Sequence, residues 1–485
     1  MRNGLKLASG PLVAVVLLLL PAPEGLDVAA WRTVAIAAWM ALWWVTEAIP
    51  IAATALLPMA LFPLLEILPI RATTAPYANP LVFLFLGGFI LAAALERWNL
   101  HRRIALVVIR AMGTEPKRII AGFMLAAALL SMWVSNTATA MMMLPIGLSV
   151  IELTKRDGDG AAQSPFATAL LLGLAYGCSI GGMATLIGTP TNAFLVGFLE
   201  ETYSYDIAFA DWMMLGLPLA LIGLLVAFAL LTGVLFPVNV AALPGGRAFI
   251  EDELRSLGPM QAPERRVALV FGTVALLWIL RPQLTPFVPG LSDTGIGMIG
   301  AVLLFIVPSG SHDRKTALLT WRHAERIPWG VLLLFGGGLS LAAAISGTGL
   351  AMWIGEQLTL FASWPPLALM LLVVLVIVFL TELTSNVATV AAFVPILASI
   401  AISIGENPLV LLVPATLAAS AAFMLPVATP PNAIVYGSGA LTIPQMARAG
   451  LVLNVAFILL TTLLAYLLMP IMLDVTFGTL PLWAD

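Results

Sequence analysis

Two short polar stretches combine hydroxyl and amide side chains within strongly apolar sequence. The first begins at Ser135 and Asn136, and the second begins at Ser385 and Asn386, an offset of 250 residues. Polar groups at membrane depth must be buried in protein or line a site, because lipid offers them no hydrogen bonds. Two matched stretches therefore indicate one site that is built from two halves.

The side chains near these stretches carry a specific chemistry. Hydroxyl oxygens, amide carbonyls and unwound backbone suit a hard cation such as Na⁺. Amide NH₂ groups, hydroxyls and helix N-termini suit a carboxylate. The polar residues predicted at membrane depth include no Lys, Arg or His, so bound Na⁺ would supply the charge that a dianion needs there. These residues are Ser131, Ser135, Asn136, Thr137, Thr189, Asn192, Thr381, Thr384, Ser385, Asn386, Thr429 and Asn432.

Composition bounds the class of protein. The 485 residues are 61% hydrophobic and only 10% charged, which predicts an all-α polytopic membrane protein and gives no indication of nucleic-acid binding. A single cysteine, Cys178, excludes a disulfide framework and a cysteine metal site. The histidines at 101, 312 and 323 lie in charged loops, which argues against a histidine metal centre in the membrane. We interpret the apolar run that ends at Leu20 as a first transmembrane helix rather than a cleaved signal peptide.

Hydropathy predicts about eleven transmembrane helices and two re-entrant hairpins. The arms of segment 119–153 have about 15 residues each, too short to cross at about 1.5 Å per residue. Segment 97–118 is the most basic and predicts an amphipathic surface helix. Glycine and proline at 188–192 and 428–432 predict two discontinuous helices. The predicted spans cover about 8–23, 29–49, 51–68, 80–96, 165–199, 212–237, 267–281, 294–308, 327–346, 408–441 and 450–470.

The two halves of the chain repeat the same order of features. Residues 84–88 match 334–338 at the offset of the polar stretches, and the Thr-Pro-x-Asn breaks are 240 residues apart. An odd number of spans per copy predicts an inverted repeat, as in secondary transporters. The predicted organisation is N-terminal spans (1–50), repeat 1 with a cytoplasmic-side hairpin at about 119–153 (51–237), a cytoplasmic linker (238–265) and repeat 2 with an external-side hairpin at about 366–404 (266–485).

Loop charge predicts the orientation of the chain. A cytoplasmic N-terminus and an external C-terminus place the basic loops inside and the acidic loops outside, as the positive-inside rule requires. This assignment fits a multi-pass protein of the cell membrane. The inside set is 97–118, Lys155 with Arg156, 238–265, 312–326 and Arg448; the outside set is Glu24, Asp27, 200–211, Asp474 and Asp485.

Several segments resemble the divalent anion/sodium symporter (DASS) family over nearly the whole chain. They are Ser420 to Val435, Trp44 to Pro50 with the following Thr54 to Pro58, and the two Ser-Asn stretches. The resemblance implies a homodimer in membrane lipid, with a scaffold domain and a transport domain that moves as an elevator. It also implies uptake of C4-dicarboxylates such as succinate, malate and fumarate, driven by two or more co-transported Na⁺ ions, rather than an enzyme activity.

The same resemblance implies the residues of the site. One Na⁺ would be held by Ser131, Ser135, Asn136 and the backbone of Gly188. The other would be held by Thr381, Thr384, Asn386 and the backbone of Ala428. The residues that would face the substrate are Asn136, Thr137, Asn386, Val387, Thr189, Pro190, Thr429 and Pro430.

Alternative functions remain open at this point. Val387 stands where many bacterial members of the resembled family carry Thr, which leaves one expected substrate hydrogen bond open. A Na⁺-coupled citrate or sulfate symporter is one alternative to a dicarboxylate symporter. A Na⁺-independent exchanger would be expected to place cationic side chains near the cation sites, and the sequence indicates none there. Glu382, three residues before the second stretch, is either a structural hydrogen-bond acceptor or a coupling group.

Overall fold

The computed structural model describes residues 2–113, 115–153, 164–238, 246–310, 316–357 and 363–484. Within these ranges the chain folds into helices joined by short connections. The helices of the first half are α1 (Arg2–Leu19), α2 (Val28–Thr46), α3 (Ile51–Thr54), α4 (Leu57–Leu64), α5 (Ile70–Thr74), α6 (Pro80–Arg97), α7 (Leu100–Met112), α8 (Pro116–Ser131), α9 (Asn136–Glu152), α10 (Pro165–Gly182), α11 (Pro190–Tyr203) and α12 (Phe209–Ala229).

The second half repeats this pattern of long and interrupted helices. Its helices are α13 (Gly246–Ser256), α14 (Ala262–Leu284), α15 (Asp293–Ile306), α16 (Trp321–Ala324), α17 (Trp329–Gly347), α18 (Leu350–Gln357), α19 (Pro366–Thr381), α20 (Asn386–Ser403), α21 (Leu409–Ala419), α22 (Pro430–Gly437) and α23 (Ile443–Met472). A π-helical turn, Leu230–Leu235, extends α12.

Eight helical segments of the described chain are long and apolar enough to cross a membrane. This confirms the expected all-helical, polytopic class of protein. These segments are Val28–Thr46, Ile70–Arg97, Pro165–Gly182, Phe209–Leu235, Ala262–Leu284, Trp329–Gly347, Asn386–Ser403 and Ile443–Met472.

The structure corrects one sequence prediction about spans and adds one candidate span. The span predicted at about 51–68 is divided into α3 and α4, and the freed Ala55 carbonyl accepts a hydrogen bond from the Tyr77 hydroxyl at 2.5 Å. Helix α20, the return arm of the second hairpin, is by itself long enough to span, so length alone does not make that hairpin re-entrant. The basic segment forms a helix as expected, with the shorter bounds of α7.

Some orientation markers lie outside the described residues. They are Lys155 and Arg156, part of the 238–265 linker, residues 311–315 of the basic loop, and Asp485.

Small residues bring the first hairpin against a fully buried helix. Every residue of α10 from Phe166 to Gly182 is buried. A methyl group on Gly181 would lie 2.3 Å from the carbonyl oxygen of Ala128 on α8, so only glycine permits this approach. Close packing of this kind stabilises helix pairs in membranes, where the hydrophobic effect does not drive association. This packing fixes the turn of the first hairpin, which contains Ser135 and Asn136 and is called the first Ser-Asn tip below, relative to the first broken helix.

Candidate substrate and cation site

Each predicted Ser-Asn stretch forms the turn of a helical hairpin. Helix α8 ends at Ser131 and α9 begins at Asn136; α19 ends at Thr381 and α20 begins at Asn386. Serine, a residue favoured at the N-cap, precedes both new helices, although the Ser385 side chain makes no capping hydrogen bond. Ser135 fulfils this role, since its Oγ accepts a hydrogen bond from the Ala138 amide at 3.2 Å.

The two Thr-Pro-x-Asn segments restart interrupted helices. Pro190 and Pro430 are the first residues of α11 and α22, where the missing N–H and fixed φ of proline are tolerated. Asn192 Nδ2 donates to the carbonyl oxygens of Gly182, Met183 and Thr185. In the second half, Asn432 Nδ2 donates to Ala422 and Leu425 in the same way. These asparagines satisfy the unwound backbone rather than face a ligand.

One cavity of about 980 Å³ receives both tips and both breaks. Asn136, Pro190, Asn386 and Pro430, each the first residue of a helix, all line it. Four helix N-termini therefore converge there, and their partial positive charges favour an anion. The predicted residues that line the cavity are Ser135, Asn136, Thr137, Gly188, Thr189, Pro190, Ser385, Asn386, Val387, Ala428, Thr429 and Pro430. Three predicted cation ligands are buried and do not line it, namely Ser131, Thr381 and Thr384.

The first candidate cation position contains oxygens that lack partners. Ser131 Oγ and Asn136 Oδ1 are buried without a hydrogen bond in the part of the chain that the structure describes. A methyl group on Gly182 would lie 3.0 Å from Asn136 Oδ1, and one on Gly188 would lie 3.0 Å from the Ser131 carbonyl oxygen. Buried oxygens gathered around two glycines suit a small hard cation, which would satisfy them.

The second candidate cation position is internally hydrogen-bonded. The Thr381 hydroxyl lies 2.7 Å from Asn386 Oδ1 and 3.0 Å from the Ala419 carbonyl oxygen, and these two acceptors share its single proton. The hydroxyls of Thr384 and Thr389 are 2.6 Å apart. A cation that used the Asn386 oxygen would replace the bond from Thr381. The two positions therefore contain similar oxygen ligands for a cation, but two of those in the first position lack hydrogen-bond partners among the described residues, whereas the side-chain oxygens of the second are hydrogen-bonded.

Glu382 takes the structural role that the sequence analysis left open. Its carboxylate accepts the backbone amides of Phe423 (2.7 Å), Met424 (2.9 Å) and Leu425 (3.0 Å), and the side-chain amide of Asn454 (2.7 Å). The residue is only 3% exposed. Four donated hydrogen bonds compensate a buried carboxylate. Glu382 thus ties the second hairpin to the second break.

Sequence reasoning missed several residues that line the cavity. Ser179 and Ser420 lie on its wall, and the Ser420 hydroxyl is 3.0 Å from that of Thr191, which joins the two breaks. Their signal was weak because isolated serines usually bridge packed helices. The cavity wall also includes the charged or ionisable residues Glu47, Glu96, Arg97, His323 and Arg326.

These charged residues change one expectation about the surroundings of the site. Loop charge predicted that the cationic residues lie in loops outside the site. In the structure, however, Arg97, His323 and Arg326 line the same cavity as the Ser-Asn tips. Partial burial and the neighbouring Arg97 lower the pKa of His323, which favours the neutral imidazole.

The fold and the cavity define a helical membrane protein whose site is assembled from two repeated, interrupted halves, an arrangement typical of secondary transporters. A family model described as the sodium:sulfate symporter transmembrane region matches residues 4–473. The chain belongs to this family of transporters, which are not enzymes, and the resemblance to DASS proteins is thereby confirmed.

Curated relatives and solved structures agree with this assignment. The chain is 44% identical over 473 residues to the sodium-dependent dicarboxylate transporter SdcS of Staphylococcus saprophyticus, covering 96% of this chain and 91% of the relative. It is 42% identical, with the same coverage, to SdcS of Staphylococcus aureus. Structures of MtrF from Neisseria gonorrhoeae (TM-score 0.59) and YdaH from Alcanivorax borkumensis (TM-score 0.54) are each 13% identical. The MtrF match covers 94% of this chain and 96% of MtrF, and the YdaH match covers 95% of each chain. At this identity the two structures support the fold alone.

Proposed function

We propose that this protein is a Na⁺-coupled symporter that carries C4-dicarboxylates such as succinate, malate and fumarate into the cell. The observation that carries the proposal is the convergence of four helix N-termini and two asparagine tips on one cavity. Relatives described as sodium-dependent dicarboxylate transporters, 42–44% identical to this chain, support the choice of cargo.

The substrate would be held by neutral groups from both halves. Amide and hydroxyl donors of Asn136, Thr137 and Asn386 would bind carboxylate oxygens, with Thr189 and Thr429 close to the helix N-termini. The apolar Val387 would occupy the position that matches Thr137. Neutral donors compensate a dianion poorly, so the substrate would bind well only beside bound cations.

Two or more Na⁺ ions would supply that charge. Ser131, Ser135, Asn136 and the Gly188 backbone would hold one ion, where unpartnered oxygens favour it. Thr381, Thr384, Asn386 and the Ala428 backbone would hold another after the Thr381–Asn386 hydrogen bond is replaced. Each cargo stabilises the other in the site, which is the physical basis of coupling.

Transport would proceed by an elevator motion. The helices that carry the tips and breaks would move as one body against a scaffold that includes α6 and α17, because residues of both groups line the cavity. The charged end of the cavity would face the cytoplasm, in agreement with the predicted cytoplasmic N-terminus. Cysteine cross-links between Ala92 on α6 and Thr137 on the first tip would test the relative motion. The homodimer rests on the family resemblance and would be tested by light scattering.

The coupling is tested by uptake of radiolabelled succinate into proteoliposomes. An inward Na⁺ gradient should drive accumulation, and replacement of Na⁺ by choline should abolish it. Equal rates under both conditions would exclude Na⁺ coupling and favour an exchanger. Competition by unlabelled malate, fumarate, citrate and sulfate identifies the cargo, and stronger inhibition by sulfate or citrate than by malate would reassign it.

A further inference from the structure

A group of cationic side chains lies on the cavity wall away from the Ser-Asn tips. Arg97 ends α6, His323 belongs to α16, and Arg326 follows two residues after α16 ends. All three line the cavity, and a further arginine, Arg322, is close enough to influence His323. Two segments, the end of α6 and the stretch at α16, therefore bring the positive charges of Arg97 and Arg326, together with the imidazole of His323, to the route that a cargo would follow.

The distance along α6 separates this group from the tips. Gly88 of α6 lies against the first break, since a methyl group on it would be 3.5 Å from Ile187 Cγ2. Arg97 is nine residues further along the same helix, which at 1.5 Å per residue is about 13 Å. A four-carbon dicarboxylate is much shorter than this distance. This spacing along α6 favours separate positions for an anion at Arg97 and an anion at the tips.

The arginines retain uncompensated charge. Arg97 Nη1 donates to the carbonyl oxygens of Leu318 (3.0 Å) and Ala317 (3.4 Å), and its guanidinium lies 4.9 Å from the centre of the Trp98 ring. These neutral partners position the guanidinium without neutralising it. Within the described residues, no carboxylate forms an ion pair with Arg97 or Arg326. Arg326 is exposed and lines the cavity.

The remaining members of the wall determine how strongly an anion binds. His323 uses Nδ1 with the Thr320 hydroxyl at 2.7 Å, which leaves Nε2 for a ligand. The carboxylates Glu47 and Glu96 line the same cavity and oppose an anion. The guanidinium groups of arginine bind carboxylates well, but the nearby acidic side chains repel an anion and make its binding weak. Weak binding suits a site on a transport path, because the substrate must be able to dissociate from it.

We propose that Arg97, His323 and Arg326 form a second, Na⁺-independent dicarboxylate site in the cavity, distinct from the Ser-Asn tips. This inference rests on the proposed function for the identity of its ligand. The site receives the dianion when it leaves the tips, so it lowers the barrier to release on that side. It also offers a first contact for a dianion that enters from the same side.

Binding without Na⁺ distinguishes the two sites. Purified full-length protein in choline buffer is titrated with ¹³C-labelled succinate, and binding is followed by saturation-transfer NMR. The wild type should bind weakly, and Arg97→Gln combined with Arg326→Gln should weaken this binding by about 10-fold, because the charge contacts of a half-buried and an exposed arginine are removed. Asn136→Ala combined with Asn386→Ala should leave it unchanged, since those residues belong to the tips.

Matched variants guard against misfolding. Arg326→Gln alone should also lower Na⁺-free binding without loss of stability, because the side chain is exposed and makes no hydrogen bond or ion pair with the part of the chain that the structure describes. Lysine at both positions should restore part of the binding, and Arg322→Gln, outside the cavity wall, should have little effect. Absence of Na⁺-free binding in the wild type, or its loss in the asparagine variant but not in the arginine variant, would overturn the proposal. Na⁺-driven uptake by the same wild-type preparation is measured separately, so failure of the proposed function would be recognised independently of this site.

Discussion

The two halves of the site reach the same geometry with different chemistry. In both halves an asparagine, Asn192 or Asn432, closes the break by donating to carbonyl oxygens ten and seven residues before it. The connection between hairpin and break differs. In the first half the Thr185 hydroxyl donates to the Met132 carbonyl oxygen and accepts from the Gly188 amide. In the second half the Glu382 carboxylate accepts three backbone amides.

The positions themselves are equivalent. The hairpin offset of 250 residues pairs Met132 with Glu382, and the break offset of 240 pairs Thr185 with Leu425. The same break offset pairs Gly182 and Gly188 with Ala422 and Ala428. The repeat therefore conserves the backbone path and varies the groups that hold it. At the first cation position Ser131 Oγ and Asn136 Oδ1 lack partners among the described residues, whereas at the second the Thr381 hydroxyl is hydrogen-bonded to Asn386 Oδ1 and Glu382 supplies a buried charge nearby.

The largest expected effect is at Glu382. Glu382→Ala should lower the free energy of unfolding by about 3 kcal/mol or more, because buried backbone amides lose their acceptor. Thermal unfolding in detergent measures this loss. The matched substitution in the first half, Met132→Leu, should cost less than about 1.5 kcal/mol because it conserves volume. Equal destabilisation by the two variants would remove the proposed difference between the halves.

The glycines of the first half should be the next most sensitive positions. A methyl group on Gly188 would lie 2.5 Å from the Gly182 carbonyl oxygen, so Gly188→Ala should distort the first cation position. We expect the Na⁺ concentration for half-maximal uptake to rise by about 10-fold or more, as a lost ligand of ordinary strength would cause. Gly437→Ala, which meets no atom within 4 Å, is the control. A normal Na⁺ dependence in Gly188→Ala would place the ion elsewhere.

Substitution of Ser131 and of Thr381 should affect protein stability to different degrees, although both substitutions should weaken Na⁺ binding. Thr381→Val removes the one hydroxyl donor that Asn386 Oδ1 and the Ala419 carbonyl oxygen share, so it should cost about 1–3 kcal/mol of stability as well as weaken Na⁺ binding. Ser131→Ala removes a hydroxyl without a partner among the described residues, so it should weaken Na⁺ binding with little change in stability. Thermal unfolding with and without Na⁺ measures both effects. If Ser131→Ala destabilises the Na⁺-free protein as much as Thr381→Val, the hydroxyl has a structural role instead.

The smallest expected effect concerns the choice of cargo. Val387→Thr makes the second tip match the first, and an added donor in the cavity should change the relative inhibition of succinate uptake by malate, citrate and sulfate by about 3- to 10-fold. The competition panel measures the change. The reciprocal Thr137→Val is the matched variant. An unchanged inhibition profile in both would exclude these positions from contact with the substrate.

Sequence patterns predicted the parts of this molecule that depend on local chemistry. The Ser-Asn turns, the Thr-Pro restarts and the bounds of most long helices follow from capping, proline and hydropathy. The division of 51–68 into two helices was not predicted, because Tyr77 satisfies the freed carbonyl from 22 residues away. The role of Glu382 depends on amides 41 to 43 residues later, and Arg97 reaches the cavity only through the packing of α6. Contacts between residues so far apart in the sequence produce no local pattern from which they could be predicted.

The central claim, one site built from two halves, is tested most directly by comparing Asn136→Ala with Asn386→Ala. Na⁺-driven succinate uptake is measured in proteoliposomes that contain equal amounts of folded protein. We predict that either substitution alone abolishes uptake, because each tip supplies a ligand for the same substrate and for its neighbouring ion. Uptake at the wild-type rate in either variant would contradict a shared site.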